Sequence, residues 1–391
     1  MKKTNLSAKK KKMQNKELVM GKCIELARNV KGFTLTNPLV GAAVIKGGNA
    51  VYGIHEKYGS FHAEINAIKN AGEDVSGCEL FVTLEPCSTY GKTPPCVEKI
   101  ISSGIKKVYI GVLDVNPKHR GRGVNILRNA GIEVEYGVLV KECSLLIEDF
   151  IKYQTLKLPY VTLKTASSID GKIACKTGHS KWITGDDARE LVHKMRGLSD
   201  VVLTGIGTVE ADNPLMTDRR KNAVRQPVRA VLDSSLKIDI NANIVNSAEY
   251  APVIIYTSEN ADSSKIMQLN DKNVKVIKVP CVNGMLDIKE VLYSLYELGY
   301  MNVFVEAGSR VNGSFFDNRL VDRLEAFIAP KVIGGKDAVS SIGGLGINNM
   351  NEALIFKDYE INICGQDILI SARINDYAMQ AVEFTKNYNV E

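Results

Sequence analysis

No apolar run in this 391-residue sequence approaches the ~20 residues that a membrane-crossing helix requires, so no membrane partner is expected. The lysine-rich start has no apolar segment behind it and does not read as a secretory leader. The eight cysteines are scattered along the chain instead of forming a disulfide framework, and a reducing, cytoplasmic setting is expected. There is no internal repeat, no low-complexity segment beyond the basic start and no Gly-x-Gly-x-x-Gly turn of Rossmann type. A surplus of positive charge on the folded part is missing too. The net charge of +6 is more than covered by Lys2, Lys3, Lys9, Lys10, Lys11, Lys12 and Lys16, which leaves the rest of the chain about one negative. A basic face for nucleic acid is therefore not expected, and residues 1–16 read as a disordered, solvated arm.

The composition, 45% hydrophobic and 24% charged, is that of an ordinary globular protein, and the length exceeds what one core usually organises. Periodicity predicts a helix over 17–30, strands over 42–46 and 51–54 about a Gly47-Gly48 turn, and strands over 79–84, 106–112 and 132–138 with a helix over 123–130. This βαβ rhythm predicts a mostly parallel sheet between helices. Residues 141–156 read as one connecting helix, and Pro159 marks a boundary. A second α/β pattern follows, with strands over 160–165, 200–204, 229–233, 253–257, 274–279 and 302–306 and helices over 186–196 and 287–298. It closes in a hairpin, 360–364 and 367–374, about Gly365-Gln366. The expected domains are 17–157 and 158–391.

The densest chemistry lies in 61–96. Phe61-His62-Ala63-Glu64 opens the stretch, and Glu85-Pro86-Cys87 and Pro94-Pro95-Cys96 close it. Two thiolates and an imidazole suit zinc, and three protein ligands in place of four leave a position for water, as in catalytic sites. His62, Cys87 and Cys96 are the candidate ligands; the ion would bring its water's pKa toward neutrality and so supply hydroxide. Glu64, two residues past His62 in a short helix, sits near the ion without ligating it and is the candidate proton shuttle. Pro94-Pro95 is expected to open a helix whose amide dipoles favour a thiolate at Cys96. Either cysteine alone would read as a packed core residue. The order His-x-Glu, Pro-Cys, Cys is that of zinc nucleobase deaminases, except that residues 88–95 separate the cysteines in place of the usual two.

Three further places carry weaker signals. Asn37 reads equally as a turn residue or as an amide that meets a pyrimidine edge. Asp114-Val115-Asn116-Pro117 follows a strand at its carboxyl end, where α/β folds place ligands. Residues 308–314 stand between a strand and a helix, either as a tight turn or as a place where amides and the helix dipole receive phosphate.

One family unites these segments. Asn-Pro-Leu-Val-Gly at 37–41, His-Ala-Glu at 62–64, Thr-Leu-Glu-Pro-Cys at 83–87 and Thr-Pro-Pro-Cys at 93–96 are followed by Thr-Ala-Ser-Ser-Ile-Asp-Gly-Lys-Ile-Ala at 165–174. Trp-Ile-Thr at 182–184, Gly-Thr-Val-Glu-Ala-Asp-Asn-Pro at 207–214 and Val-Glu-Ala-Gly at 305–308 complete the order. The whole body from about residue 16 resembles the bifunctional riboflavin biosynthesis family, a pyrimidine deaminase fused to a ribosylaminouracil reductase.

The resemblance implies a cytidine-deaminase-like α/β/α sandwich followed by a dihydrofolate-reductase-like α/β domain, with Zn2+ and NADPH as cofactors. The implied substrate is a phosphoribosylaminopyrimidine, 2,5-diamino-6-ribosylamino-4(3H)-pyrimidinone 5′-phosphate. It is deaminated hydrolytically, and its ribosyl group is then reduced to ribityl; a homo-oligomer is expected. By the same likeness the reductase cofactor meets Ala166, Trp182, Thr208, Asp212 and the run Gly308, Ser309, Arg310, Val311, Asn312, Gly313 and Ser314. The phosphosugar substrate meets Ser180, Arg196, Met216, Arg219 and Glu306. Guanidinium groups suit phosphate and a planar indole suits nicotinamide or its ribose. On residues alone, Trp182 better fits a core position, Arg196 a helix C-terminus and Asp212 a cap on the Asn213-Pro214 turn, while Met216 could touch substrate only through its backbone. Two other readings are a nucleic-acid base deaminase, disfavoured by the near-neutral body, and a zinc-stabilised interaction protein without turnover.

Overall fold

The protein is described from a computed structural model, which covers residues 15–72, 74–90 and 94–388 in full and 2–14 as helical backbone. The stretch expected as a disordered arm is, from residue 2, the helical backbone of α1; Lys16 is paired with Glu135 at 2.6 Å. The chain forms two compact units, 1–156 together with 376–391, and 157–375.

The first unit runs α1 (Lys2–Arg28), β1 (Gly41–Lys46), β2 (Asn49–Ile54), α2 (Ala63–Asn70), β3 (Glu79–Leu84), α3 (Cys96–Ser102), β4 (Lys107–Val112), α4 (Arg122–Asn129), β5 (Glu133–Tyr136), α5 (Val140–Leu146) and α6 (Glu148–Leu156). The sheet order is β2-β1-β3-β4-β5. β1 pairs antiparallel with β2 and β3, whereas β3, β4 and β5 run parallel. Because side chains alternate across a strand, Ala42 and Val44 join a core with Ala63, Ala67, Ile68, Val97, Ile100, Val124 and Leu127 of α2, α3 and α4. A Cβ at Gly41, on the other face of β1, would run into Cys23 of α1. A Cβ at Gly53 would collide with the backbone of Ala67, so glycine lets α2 lie directly on β2. That close approach fixes where α2 starts.

The second unit runs β6 (Tyr160–Ser168), α7 (Asp186–Leu198), β7 (Val201–Gly205), α8 (Ile206–Asp212), β8 (Val228–Leu232), α9 (Asn243–Asn246), β9 (Val253–Thr257), α10 (Ser263–Asn270), β10 (Val274–Lys278), β11 (Cys281–Val282), β12 (Met285–Leu286), α11 (Ile288–Glu297), β13 (Asn302–Val305), α12 (Ser309–Asp317), β14 (Arg323–Ala329), β15 (Asp358–Cys364) and β16 (Asp367–Arg373). Its main sheet has the order β10-β9-β8-β7-β13-β6-β14-β16-β15, parallel from β10 to β14 and antiparallel from β14 to β15. The buried runs of β7, β8 and β9 match a parallel sheet covered on both faces, by two apolar cores.

Three expectations are corrected. The second domain does not run to 391: α13 (Tyr377–Asn387) belongs to the first unit, packing Ala378, Ala381 and Val382 away from solvent beside α5 and α6. The connecting helix is two helices, because Ile147 leaves helical geometry at φ −122°. Residues 308–314 are not a loop before a helix, since Gly308 is already the N-cap of α12.

Candidate active sites

In the first unit, two helix starts and one strand end converge. His62 is the N-cap of α2, Cys96 is the first residue of α3 with Pro95 as its N-cap, and Cys87 follows β3. The donor atoms of His62, Cys87 and Cys96 all lie within 4.8 Å of one another. His62 Nδ1 stands 3.2 Å from Cys96 Sγ and 3.5 Å from Cys87 Sγ, and the Cys96 backbone N–H donates to Cys87 Sγ at 3.2 Å. The Cys96 thiol hydrogen and this amide push the Cys87 pKa down against its burial, while Cys96 is pushed up. One imidazole and two thiols, one already biased to thiolate, make a donor set that fits zinc.

Glu64 lies in the first turn of α2, 4% exposed. Burial, with the Cys87 charge adding to it, pushes its pKa up to about 7. Its surroundings form a cleft of about 360 Å³ whose lining includes Asn37, His55, His62, Glu64, Glu85, Cys87, Asp114, Asn116, His119, Phe150, Tyr153 and Gln154. Asn37 and the 114–117 loop, weak signals in the sequence, thus open onto the cleft that holds His62, Cys87 and Glu64.

Several cleft residues escaped the sequence reading. His55, 2% exposed, faces the Phe61 carbonyl through Nδ1 at 3.1 Å and Asn37 Nδ2 through Nε2 at 3.0 Å. A carbonyl only accepts, so Nδ1 carries the proton and Nε2 accepts from the Asn37 amide. Its signal was a histidine at the end of an apolar strand. Glu85 accepts from the amides of Asp114, Gly121 and Gly123 at 3.1, 2.9 and 2.8 Å and so bolts the 114–123 loop beside the site. Burial pushes Asp114 up to about 7. His119 Nδ1 meets the Ser88 N–H and hydroxyl at 3.3 and 3.2 Å, bracing the residue after Cys87. Phe150, Tyr153 and Gln154 come from α6, far along the chain, and no local pattern marked them.

In the second unit, the expected residues gather at the carboxyl ends of β6, β13 and β7, but not all of them point the same way. Glu306, just past β13, takes Arg196 of α7 in a two-point pair at 2.8 and 3.0 Å and Lys164 of β6 at 3.2 Å. Arg196 also donates to the Thr217 carbonyl at 3.1 Å, so it links α7 to the 216–219 segment and does not cap its own helix. Arg219 lies close enough to be influenced by Arg196 and Glu306; burial first, then Arg196, lowers its pKa. Lys164 was missed; its signal was a lone charged residue inside a strand. A Cβ on Gly308 would stand 3.9 Å from Thr208 Oγ1, which places the start of α12 beside the start of α8. Lys181 pairs with Asp212 at 3.4 Å, so Asp212 holds the 180–182 segment. Trp182 is 65% exposed with the Arg189 guanidinium 4.5 Å from its ring centre, not a core residue. Ala166 lies on β6 opposite Phe327, and Ser180 is half-buried in the loop before α7.

Three of the expected contacts are corrected. Asn312, Gly313 and Ser314 are buried in the second turn of α12. Asn312 donates to the Ser341 carbonyl at 2.9 Å, and a Cβ on Gly313 would collide with Gly343 and Gly344, so that turn faces the 341–344 segment. Only the first turn, Gly308 to Val311, keeps amides directed out of the helix end. The Met216 side chain is 2% exposed in an apolar core, leaving its backbone, at φ +55°, as its only route to a ligand.

Residues 13–112 match the cytidine and deoxycytidylate deaminase zinc-binding region, and residues 159–370 match the RibD C-terminal domain. The riboflavin biosynthesis protein RibD of Bacillus amyloliquefaciens is 44% identical over 91% of this chain and 95% of its own. That of Actinobacillus pleuropneumoniae is 43% identical over 90% and 93%. A solved diaminohydroxyphosphoribosylaminopyrimidine deaminase/5-amino-6-(5-phosphoribosylamino)uracil reductase from Thermotoga maritima superposes with a TM-score of 0.81 at 40% identity, covering 93% of this chain and 99% of that one. Acinetobacter baumannii RibD gives 0.83 at 34% identity, covering 93% and 99%. With a three-donor metal centre in a unit that matches the cytidine deaminase zinc-binding region, followed in sequence by a RibD C-terminal domain, the chain belongs to the RibD family, the bifunctional zinc-dependent deaminases and NADPH-dependent reductases of riboflavin biosynthesis.

Proposed function

We propose that the first unit releases ammonia from 2,5-diamino-6-ribosylamino-4(3H)-pyrimidinone 5′-phosphate at the His62–Cys87–Cys96 centre, and that the second reduces the ribosyl group of the product to ribityl. The observation that carries this is the buried Glu64 carboxylate beside three donors of zinc type. Zinc held by His62, Cys87 and Cys96 would supply a Lewis acid that makes water nucleophilic at neutral pH. Glu64 takes a proton from that water as its oxygen bonds to the amino-bearing carbon, and gives it to the departing amine as the C–N bond breaks. The Asn37 amide gives one N–H to His55 Nε2, and its Oδ1 is the group proposed to accept from the pyrimidine's amine.

NADPH held at the second site would supply hydride for the sugar's C1, whose bond to the ring oxygen breaks as that oxygen takes a proton from solvent, leaving the ribityl methylene. Gly308, Ser309, Arg310 and Val311 at the start of α12, with Ala166, Trp182, Thr208 and Asp212, hold the cofactor. Ser180, Arg196, Arg219 and the Met216 backbone hold the substrate. Glu306 keeps the Arg196 fork aimed and leaves Arg219 for the phosphate.

The deciding experiment supplies the diaminopyrimidine phosphate with NADPH and follows ammonia and cofactor oxidation together. Ammonia release followed by cofactor oxidation is expected; cofactor oxidation without ammonia release would sink the proposed order.

We further propose a cytoplasmic homo-oligomer. All eight cysteines are free thiols, and among the described residues no helix is long and apolar enough to cross a membrane. The edge strand β15 exposes Tyr359, Ile361 and Ile363, an apolar row that a second copy can cover. A monomeric mass in light scattering at micromolar concentration would refute the oligomer.

A further inference from the structure

The cleft of the first unit owes one of its walls to the far end of the chain. Asp114, Asn116 and His119, all on the 113–121 segment, line that wall. α13 lies beyond residue 370, where the match to the reductase domain ends, and its last turns grip both ends of the segment. At one end the Leu113 N–H donates to Thr385 Oγ1 at 3.0 Å, a buried bond between residues 272 apart in sequence. At the other end the Tyr388 hydroxyl donates to the Gly121 carbonyl at 3.2 Å. The Tyr388 ring sits so close to Gly121, at φ +86°, that a Cβ there would collide with it. The Arg120 guanidinium stands 4.9 Å from the centre of the Phe384 ring, and the Tyr136 hydroxyl donates to the Tyr388 carbonyl at 2.8 Å, which ties the end of the chain to β5. Glu85 holds the same segment from inside through the amides of Asp114 and Gly121.

We propose that Thr385 and Tyr388 are positioning residues for deamination: they hold the 113–121 segment so that Asp114, Asn116 and His119 are presented to the pyrimidine substrate. The inference rests on the deaminase function proposed above. Neither residue lines the cleft, so both act through the segment they grip. Removing the Thr385 hydroxyl leaves the Leu113 N–H buried without its acceptor, and a buried donor in that position shifts its backbone in search of another.

The test uses the full-length, zinc-loaded enzyme. Thr385→Ala is expected to raise KM for the diaminopyrimidine phosphate roughly five-fold, the scale of one buried hydrogen bond, with little change in kcat for ammonia release. NADPH oxidation on substrate already deaminated should be unaffected. Thr385→Ser, which keeps the acceptor, should restore KM. Tyr388→Phe, which keeps the ring and deletes one bond, should give a smaller rise. An unchanged KM in Thr385→Ala, a rise that Thr385→Ser does not reverse, or an equal loss of both activities overturns the proposal. Should Thr385→Ala fail to fold, Tyr388→Phe decides alone, and a wild-type KM there overturns it. Absence of ammonia release from the unaltered enzyme refutes the deaminase function, and the proposal with it.

Discussion

The two sites of this chain are built on different principles. In the first, three donors and a carboxylate come from one stretch of 35 residues, 62–96, set on two helix starts and a strand end. In the second, the groups are drawn from β6, α7, α8 and α12, and the half-buried carboxylate of Glu306 ties β6 to α7 through Lys164 and Arg196. The first site carries its chemistry in side chains. The second borrows its reactive atom from a cofactor, and its task is placement. Mutations should therefore act through the chemical step in one and through stability and binding in the other.

The largest expected contrast comes from stripping the metal with a chelator. Ammonia release should vanish and return with added zinc, while NADPH oxidation on deaminated substrate stays near its starting value. Parallel loss of both activities would break the comparison. Glu64→Gln should follow, lowering kcat for ammonia release by roughly 10²–10⁴-fold with metal content and KM nearly unchanged. Glu306→Ala is expected to destabilise the second unit by about 3–5 kcal/mol, because Arg196 and Lys164 are left without their carboxylate; denaturant midpoints would show it. Arg219→Ala should weaken the apparent affinity for the phosphorylated substrate by about 1.5–3 kcal/mol, read as KM in the reductase assay. An unchanged KM would show that the phosphate sits elsewhere.

The smallest effect, and the sharpest, is in the pH dependence of stability. Burial pushes the Glu306 pKa up, but Arg196 and Lys164 outweigh it and hold it well below the usual carboxylate range. A depressed carboxylate contributes stability that is complete above the unfolded value of about 4.3 and is lost as pH falls through the folded value. The stability gap between wild type and Glu306→Gln should therefore shrink as the pH drops below about 4 in acid-unfolding curves. A gap that stayed constant there would mean the ion pair does not set the pKa.

How far each region could be read in advance follows from the same contrast. His62, Glu64, Cys87 and Cys96 were legible because metal chemistry demands particular side chains at particular spacings. Asn37 and Asp114 showed only as turn and strand-end residues, since lining a cleft admits many residue types. Lys164 had a visible signal, a lone charge inside a strand, and His55 had another, an imidazole just past one. The burial of Asn312, Gly313 and Ser314 had none, because it depends on the 341–344 segment lying against α12. α13 could have been found from Asp376, whose side chain accepts from the Met379 amide as an N-cap, and from the apolar period that follows. Its destination could not have been.

The local chain was enough to establish the α/β elements, the zinc-type donor trio with its glutamate, and the family, since these rest on short-range periodicity and on residue types that few roles accept. Folding alone settled which unit the last helix joins, what lines the cleft opposite the metal centre, and which face of α12 a ligand can reach. Those depend on contacts between residues as much as 272 apart in the chain, and such contacts are chosen by packing and by satisfying buried amides, not by any neighbour in sequence.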